Sequence, residues 1–293
     1  MRRKETRKRE ENTAQTQEPV QARTDLAVEE HEVFTREGGS AARLPGVELR
    51  RTSRRGVRTT VLRVSGAQGA RLLKKPEGIY VTLAPEEPDG LFSRADRFLR
   101  ALAADLIGLL RLKGGQEILV VGLGNDRVSY DALGPLTLRR LMVTKHLNDP
   151  SLRPVSALEP GVLARTGLES AEIIRAVAKK TAPAAIVAVD SLASREPARL
   201  CGTIQLTDAG VIPGSGVGAR RSAITRAELG VPVCAIGVPT VTDASHLGRE
   251  LVLTPCDVRE KVDRLARLIA GGINLALHSN LTAEQIAQFV ELG

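Results

Sequence analysis

Three short aliphatic runs, at 118–121, 185–189 and 232–238, constrain this chain more than any other feature. Each is short and rich in Val, Ile or Ala, the pattern of a buried strand in a sheet covered on both faces by helices. The first lies within residues 117–135, EILVVGLGNDRVSYDALGP, where Gly122 and Gly124 permit a sharp turn with close backbone approach. Residues 133–146 then take up an approximately helical rhythm of Leu133, Leu136, Leu138, Leu141 and Met142. In open α/β sheets the working groups gather at the carboxyl ends of such strands, which puts Asn125, Asp126 and Asp131 where chemistry is done. Asp131 either carries that chemistry or caps the helix that follows.

Helical patterns separate the runs. Residues 91–112 align Phe98, Leu102, Leu106, Leu109 and Leu110 and stop at Gly114-Gly115; residues 169–181 turn Ile173, Ile174 and Val177 inward and stop at Pro183. A long helix is predicted over 258–277 and a terminal one over 282–292, with Thr282 as its cap. Upstream, 47–51 and 57–64 predict a β-hairpin about Gly56 and 78–83 a third strand, while 153–166, with two prolines and a glycine, reads as a loop. Residues 23–30, RTDLAVEE, set Leu26 and Val28 in a run of charge, a short segment suited to being gripped in extended form. The alternation predicts an α/β fold: a doubly wound, mostly parallel sheet flanked by helices, with a small antiparallel β subregion near the N-terminus. Residues 1–22 are polar without apolar periodicity and read as a disordered arm.

Composition narrows the function. Hydrophobic residues at 42% support a real core, whereas aromatics at 2% and no Trp weaken any base-stacking account, so nucleic acid is not the expected partner. Cys201, Cys234 and Cys256 share no CxxC spacing. No segment has the uninterrupted apolar length of a membrane span, and the basic N-terminus lacks an apolar signal core; a soluble, cytoplasmic protein without membrane contact is expected. The net charge of +8 is concentrated: residues 36–75 hold eleven Lys or Arg against Glu37 and Glu48. That stretch is either a contact face for an acidic partner or a solvated, arginine-rich hairpin.

Two carboxylates after buried strands, Asp131 and Asp190, suit the activation of a water: the ionised one takes its proton while the neutral one protonates the leaving group. Asp208 and Asp243 are reserve candidates on the same logic. The glycine-rich loop IPGSGVG at 212–218, with Gly214, Ser215 and Gly216, and the turn at Asn125 offer backbone N–H groups for an anion or an oxyanion. The loop lacks the GK[ST] of a phosphate-binding loop and the GxSxG of a serine nucleophile, and Arg127 breaks a GxGxxG reading. His31, His146, His246 and His278 form no compact ligand pair, so neither a metal site nor a cofactor is expected.

Set together, RTDLAVE at 23–29, VGLGN with DALGP at 121–135, RPVSALEPGV at 153–162, AVDSLASR at 188–195, TIQLTDAGVIPGSGVG at 203–218 and GVPVCAIGVPTVTDA at 230–244 resemble the germination protease family of endospore-forming bacteria. The resemblance runs from about residue 23 to 278. It implies a cytoplasmic endopeptidase, made as an inactive zymogen in the developing spore, that degrades small acid-soluble spore proteins on germination. It further implies an atypical aspartic peptidase, a fold similar to hydrogenase maturation proteases and a homotetramer. The family's two proposed catalytic aspartates fall on Asp131 and Asp190. Thr24 to Glu29 resembles the acidic-apolar sequence cut in the small spore proteins, which implies self-cleavage between Asp25 and Leu26, favoured under mildly acidic conditions. The chain then divides into a disordered propeptide, 1–25, and a single α/β peptidase domain, 26–293, with 46–83 as its β-rich subregion.

The chain departs from the family pattern in SYDALGP, in VDSLASR and in GARRS after the glycine loop, and it lacks a long insertion before the helix at 258–277. Two other functions compete on the residues alone: a metal-sensing peptidase of the hydrogenase-maturation kind, and a non-enzymatic binder of nucleic acid or protein acting through 36–75.

Overall fold

The computed structural model describes residues 23–36, 44–87, 90–215, 221–244 and 251–292. The aliphatic runs lie side by side in a single sheet. Its strands are β1 (Val47–Arg54), β2 (Val57–Val64), β3 (Gly78–Pro85), β4 (Ile118–Gly122), β5 (Val155–Leu158), β6 (Ala185–Ser194), β7 (Ile204–Thr207), β8 (Val233–Asp243) and β9 (Val252–Leu253). The order is β1-β2-β3-β7-β8-β6-β4-β5, with β9 on β8. β8, β6, β4 and β5 are parallel, while β1, β2, β3 and β7 form an antiparallel wing that joins β8. The N-terminal β subregion is therefore not separate; the β3–β7 ladder makes it one edge of the main sheet.

The main helices are α1 (Ala27–Arg36), α2 (Gly66–Leu73), α3 (Ala95–Leu110), α4 (Leu133–Leu138), α5 (Ser170–Thr181), α6 (Val258–Leu277) and α7 (Ala283–Leu292). Because side chains alternate along a strand, each strand supplies both faces. One face, carrying Val120, Val187, Val189, Ile204, Leu206 and Ile236, is covered by α3 and α6. The other is covered in two places. α5 packs Ala171, Ile174 and Ala178 on Leu119, Val121, Ile186 and Ala188, and at the wing Ala27 of α1 and Leu73 of α2 meet Leu62, Val64 and Tyr80. Between these covers, the segment before α1 and the first turn of α1 lie over β6 and β7, and polar residues collect there.

Several boundaries differ from those predicted. β6 and β8 run on past their aliphatic cores to Ser194 and Asp243, so Asp190 lies within a strand rather than at its end. The helical rhythm of 133–146 yields only the short α4, because the Asn274 side chain of α6 accepts from the Met142 N–H and donates to the Arg140 carbonyl, and the chain turns there. The predicted loop 153–166 contains β5, parallel to β4. The segment expected to be extended enters α1 at Ala27. The arm at 1–22, Gly216 and His246 lie outside the described residues.

Candidate active site

Asp190 is 5% exposed and takes the Ser191 N–H on Oδ1 at 2.9 Å. Its neighbours follow from register: Asp190 stands opposite Gly237 on β8, Gly237 opposite Gln205 on β7, and Gln205 opposite Thr82 on β3. Residues opposite one another share a face, so Asp190 and Gln205 flank a glycine on the face that α5 and the start of α1 cover. Gly237 is needed there: a Cβ would come within 2.5 Å of the Leu192 side chain. Adjacent strands lie about 4.8 Å apart, so Asp190 and Gln205 border a trough about 10 Å wide.

Asp131 reaches the same place from the end of β4. Leu123 continues the strand by donating its N–H to the Val189 carbonyl, and Gly124 then turns with φ +110°, so close to Asp131 that a Cβ would meet the Asp131 carbonyl oxygen at 2.0 Å. The Asn125 N–H donates to that same carbonyl at 2.9 Å, and the Asn125 side chain accepts from the Arg127 N–H. Asp131 does not cap α4: the N-cap position is Ala132, and no side chain bonds there. The tight turn instead fixes a half-buried carboxylate beside Asp190.

Burial pushes the Asp131 carboxyl up to about 6, against the opposing pull of the Asn125 N–H and the Arg221 guanidinium. Burial also holds Asp190 well above the usual carboxylate range, and the charges of Asp131 and Asp25 raise it further. Burial and like charge thus raise both carboxyls, Asp190 the more strongly, as expected for two carboxyls that share one site. The titration belongs to the pair. Ser191 and Thr240 line the pocket beside the pair with buried hydroxyls that have no hydrogen-bond partner among the described residues. Those hydroxyls are available to a polar molecule held against the carboxylates.

The third charge, Asp25, comes from the chain's own N-terminal segment, which lies in the trough. The Asp25 N–H donates to the Ala193 carbonyl, and its carboxylate accepts from the Ala193 N–H at 2.8 Å and the Ser215 hydroxyl at 2.6 Å. Lys75 Nζ donates to the Thr24 carbonyl at 2.9 Å, and the Arg23 N–H to Asp243. Leu26 and Val28 pack on Leu192. The Glu29 carboxylate, 2% exposed, accepts from the N–H groups of Arg195 and Glu196 and pairs with Arg199 at 3.2 Å. Burying each aliphatic side chain contributes about 2 kcal/mol, whereas the gain from a buried ion pair such as Glu29–Arg199 is offset by the cost of desolvating both charges. Leu26 and Val28 therefore hold the segment, and the polar contacts set its register.

Asp25, Asp190 and Leu192 form the wall shared by two adjoining cavities. One, about 500 Å³, also carries Lys75 and Gln205; the other, about 220 Å³, carries Asp131, Tyr130 and Arg221. The sequence candidates Asp131, Asp190, Asp25, Gly214 and Ser215 thus come together. Asn125 supports Asp131 from behind. Asp208 lies apart, accepting from the Ile79 N–H, and Asp243 anchors Arg23. Gln205, Lys75, Leu192 and Arg221 were not candidates in the sequence. Gln205 alternates with Ile204 and Leu206, a pattern that equally describes an ordinary solvent face, and only its register with Gly237 and Asp190 marks it. Among the described residues no group of three or more His, Cys, Asp or Glu is arranged to hold a metal ion, and no helix is long and apolar enough to cross a membrane.

The comparisons with known proteins agree with one another. The family model of germination proteases matches residues 20–247, a span that includes Asp25, Asp131, Asp190 and Gln205. A germination protease of Clostridium tetani is 35% identical over 324 aligned positions, covering 92% of this chain and 100% of that protein. One from Caldanaerobacter subterraneus is 35% identical, covering 92% and 98%, and one from Bacillus pumilus is 35% identical, covering 91% and 76%. The alignment with the clostridial protein is longer than the 293 residues of this chain, so that relative carries residues that this chain lacks. On the match of the family model and of these relatives, the chain belongs to the germination protease family, and it is a peptidase of spore germination.

Proposed function

We propose that this peptidase is of an atypical aspartic type, works through Asp131 and Asp190, and is made as a zymogen that cleaves itself between Asp25 and Leu26. The observation that supports the reading is the convergence of three carboxylates, Asp131, Asp190 and Asp25, on one cavity, where the charges of the other two raise Asp190. Ionised Asp131 takes a proton from a water whose oxygen bonds to the Asp25 carbonyl carbon. The tetrahedral intermediate collapses by breaking the C–N bond, and Asp190 gives its proton to the Leu26 nitrogen. The products are a C-terminal Asp25 and a new amine on Leu26. The dyad keeps one proton, now on Asp131, and it returns to Asp190.

In substrates the same trough would take an acidic residue on Ala193 N–H and Ser215, then an aliphatic one on Leu192, then an acidic one three places further on. Small acid-soluble spore proteins are the proposed substrates on this pattern. A fold shared with hydrogenase maturation proteases, assembly as a homotetramer, and residence in the cytoplasm of the developing spore complete the proposal.

Incubating the purified chain with a small acid-soluble spore protein tests it. Cuts are expected after an acidic residue and before an aliphatic one, at a rate unchanged by EDTA, by a species that sediments as four chains. Cuts elsewhere, or turnover lost in EDTA and restored by one divalent ion, would favour the metal-dependent alternative.

The pH dependence follows from the pair. The one-proton form is bounded below by protonation of Asp131 at about 6 and above by loss of the Asp190 proton. Self-cleavage is therefore expected to fall roughly tenfold for each pH unit below about 6, and to persist through neutral pH, as the rate of appearance of the shortened chain would show. On this assignment the favoured range lies at about pH 6 and above rather than under the mildly acidic conditions expected from the sequence. A rate that keeps rising down to pH 4 would contradict the assignment of Asp131 as the ionised partner.

A further inference from the structure

We infer that Gln205 is a catalytic residue that grips the scissile peptide from both sides and donates to its carbonyl oxygen. The inference rests on cleavage at Asp25–Leu26. Gln205 Nε2 donates to the Asp25 carbonyl at 3.2 Å, and Gln205 Oε1 accepts from the Ala27 N–H at 2.8 Å. One side chain therefore spans the bond, with its donor on the oxygen that turns into the oxyanion and its acceptor on the next amide. Gln205 is 5% exposed, so these bonds form away from bulk water, where a donor aimed at developing charge is worth most.

The sheet fixes the side chain. Gln205 is held between Thr82 and Gly237, in the one row that also carries Asp190. The absence of a side chain at Gly237 leaves the trough open between the donor on one bank and the proton source on the other. The segment is steadied on either side of the bond by Lys75 on the Thr24 carbonyl and by the Thr24 hydroxyl, which accepts from the Leu26 N–H at 3.0 Å. In contrast, the Asn125 N–H is spent on the Asp131 backbone carbonyl, and the Ser215 hydroxyl on the Asp25 carboxylate. Gln205 instead donates to the carbonyl that is attacked.

In chemical terms, water oxygen bonds to the Asp25 carbonyl carbon, the carbonyl π electrons move onto oxygen, and the shortened Nε2–H···O⁻ bond holds that charge until the C–N bond breaks. Gln205 neither gains nor loses a proton. A purely structural role is also open to this side chain, because the first N–H groups of a helix need acceptors and Ala27 begins α1. The two roles use different atoms and can be separated. Gln205→Glu keeps an acceptor for Ala27 and, while ionised, loses the donor to Asp25; Gln205→Met loses both.

The experiment follows the first-order conversion of the full-length chain by mass spectrometry for the wild type and both variants, with melting temperature measured on each. The expected result is a wild-type product that begins at Leu26, and a rate lower by about 10²–10³-fold in Gln205→Glu and Gln205→Met alike. Gln205→Glu should melt lower than wild type at neutral pH, because it buries a carboxylate beside Asp25 and Asp190, and its rate should recover toward low pH as the protonated carboxyl regains a donor. The rate of Gln205→Met should stay depressed across pH 5 to 8, which separates loss of the donor from a shifted titration of the dyad. Wild-type maturation at Leu26, with Gln205→Met converting at the wild-type rate, would overturn the inference alone and leave Gln205 as a helix anchor. A wild-type product that begins elsewhere would overturn the cleavage reading and this inference together.

Discussion

Asp190→Asn is expected to lower self-cleavage by about 10⁴-fold or more, with Asp131→Asn close behind and the double variant little worse than either single, because the pair acts as a unit. Neither substitution should unfold the protein. Asparagine keeps the acceptor that Asp190 offers to the Ser191 N–H, and the Asp131 turn is built on that residue's backbone carbonyl. Both variants should melt higher than wild type at neutral pH. A carboxyl whose value is raised in the folded state binds its proton more tightly there than in the unfolded chain. Relative to an uncharged side chain it therefore costs nothing below its ordinary value of 3.8, and for Asp131 the cost grows as pH rises from 3.8 to about 6. The melting difference should thus be absent near pH 3.5 and present at pH 7. Active sites that hold unfavourable charge for chemistry commonly gain stability when it is removed. Equal turnover in either Asn variant would remove that residue from the mechanism.

Gly124→Ala is expected to be the most damaging change that touches no catalytic group. With φ at +110°, position 124 lies where side chains are strained, and the added Cβ would fall 2.0 Å from the Asp131 carbonyl and 3.0 Å from its carboxylate. That obstacle is backbone and cannot swing aside. The turn must open, at a cost of about 3 kcal/mol or more, and the Asn125 to Asp131 bond that holds the carboxylate beside Asp190 is lost with it. Chemical denaturation should show the lower midpoint, and cleavage should fall by at least the 10²-fold that a displacement of about 1 Å can cost. Gly115, whose added Cβ would meet nothing within 4 Å, provides the control for positive φ alone: at +72° its alanine variant should lose about 1 kcal/mol and no activity. An active Gly124→Ala protein would mean that the turn does not position Asp131.

What could be read in the sequence was local. The helix at 258–277 has the predicted bounds, because twenty residues with a clear apolar stripe leave no competing pattern. The cores of β4, β6 and β8, the hairpin and β3 were legible for the same reason. β5 was not: four residues between prolines carry too little pattern, and what makes them a strand is the neighbouring edge of β4. α1 and α2 were missed because their apolar residues are few and face the wing of the sheet, a surface that exists only once β2 and β3 have paired. Asp131 and Asp190 could be named from their strands, but their meeting could not, since it depends on β4 lying beside β6. Gln205 was hidden altogether. Its role arises from register across three strands distant in sequence, and from a glycine that matters for the side chain it lacks.

The docked N-terminal segment bears most directly on the account. Its contacts place Asp25 beside Asp190 and the carbonyl of Asp25 on Gln205 within the same chain, where a loose tether costs little to close because each doubling of its length adds only about 0.6 kcal/mol. The decisive measurement is the intact mass and N-terminal residue of the purified chain after maturation, compared with Asp190→Asn under the same conditions and with the two proteins mixed. Leu26 is expected as the first residue of the wild type, with Asp190→Asn remaining full-length when incubated alone and the wild-type rate independent of protein concentration. A different first residue, or an Asp190→Asn chain that matures alone at the wild-type rate, would contradict it.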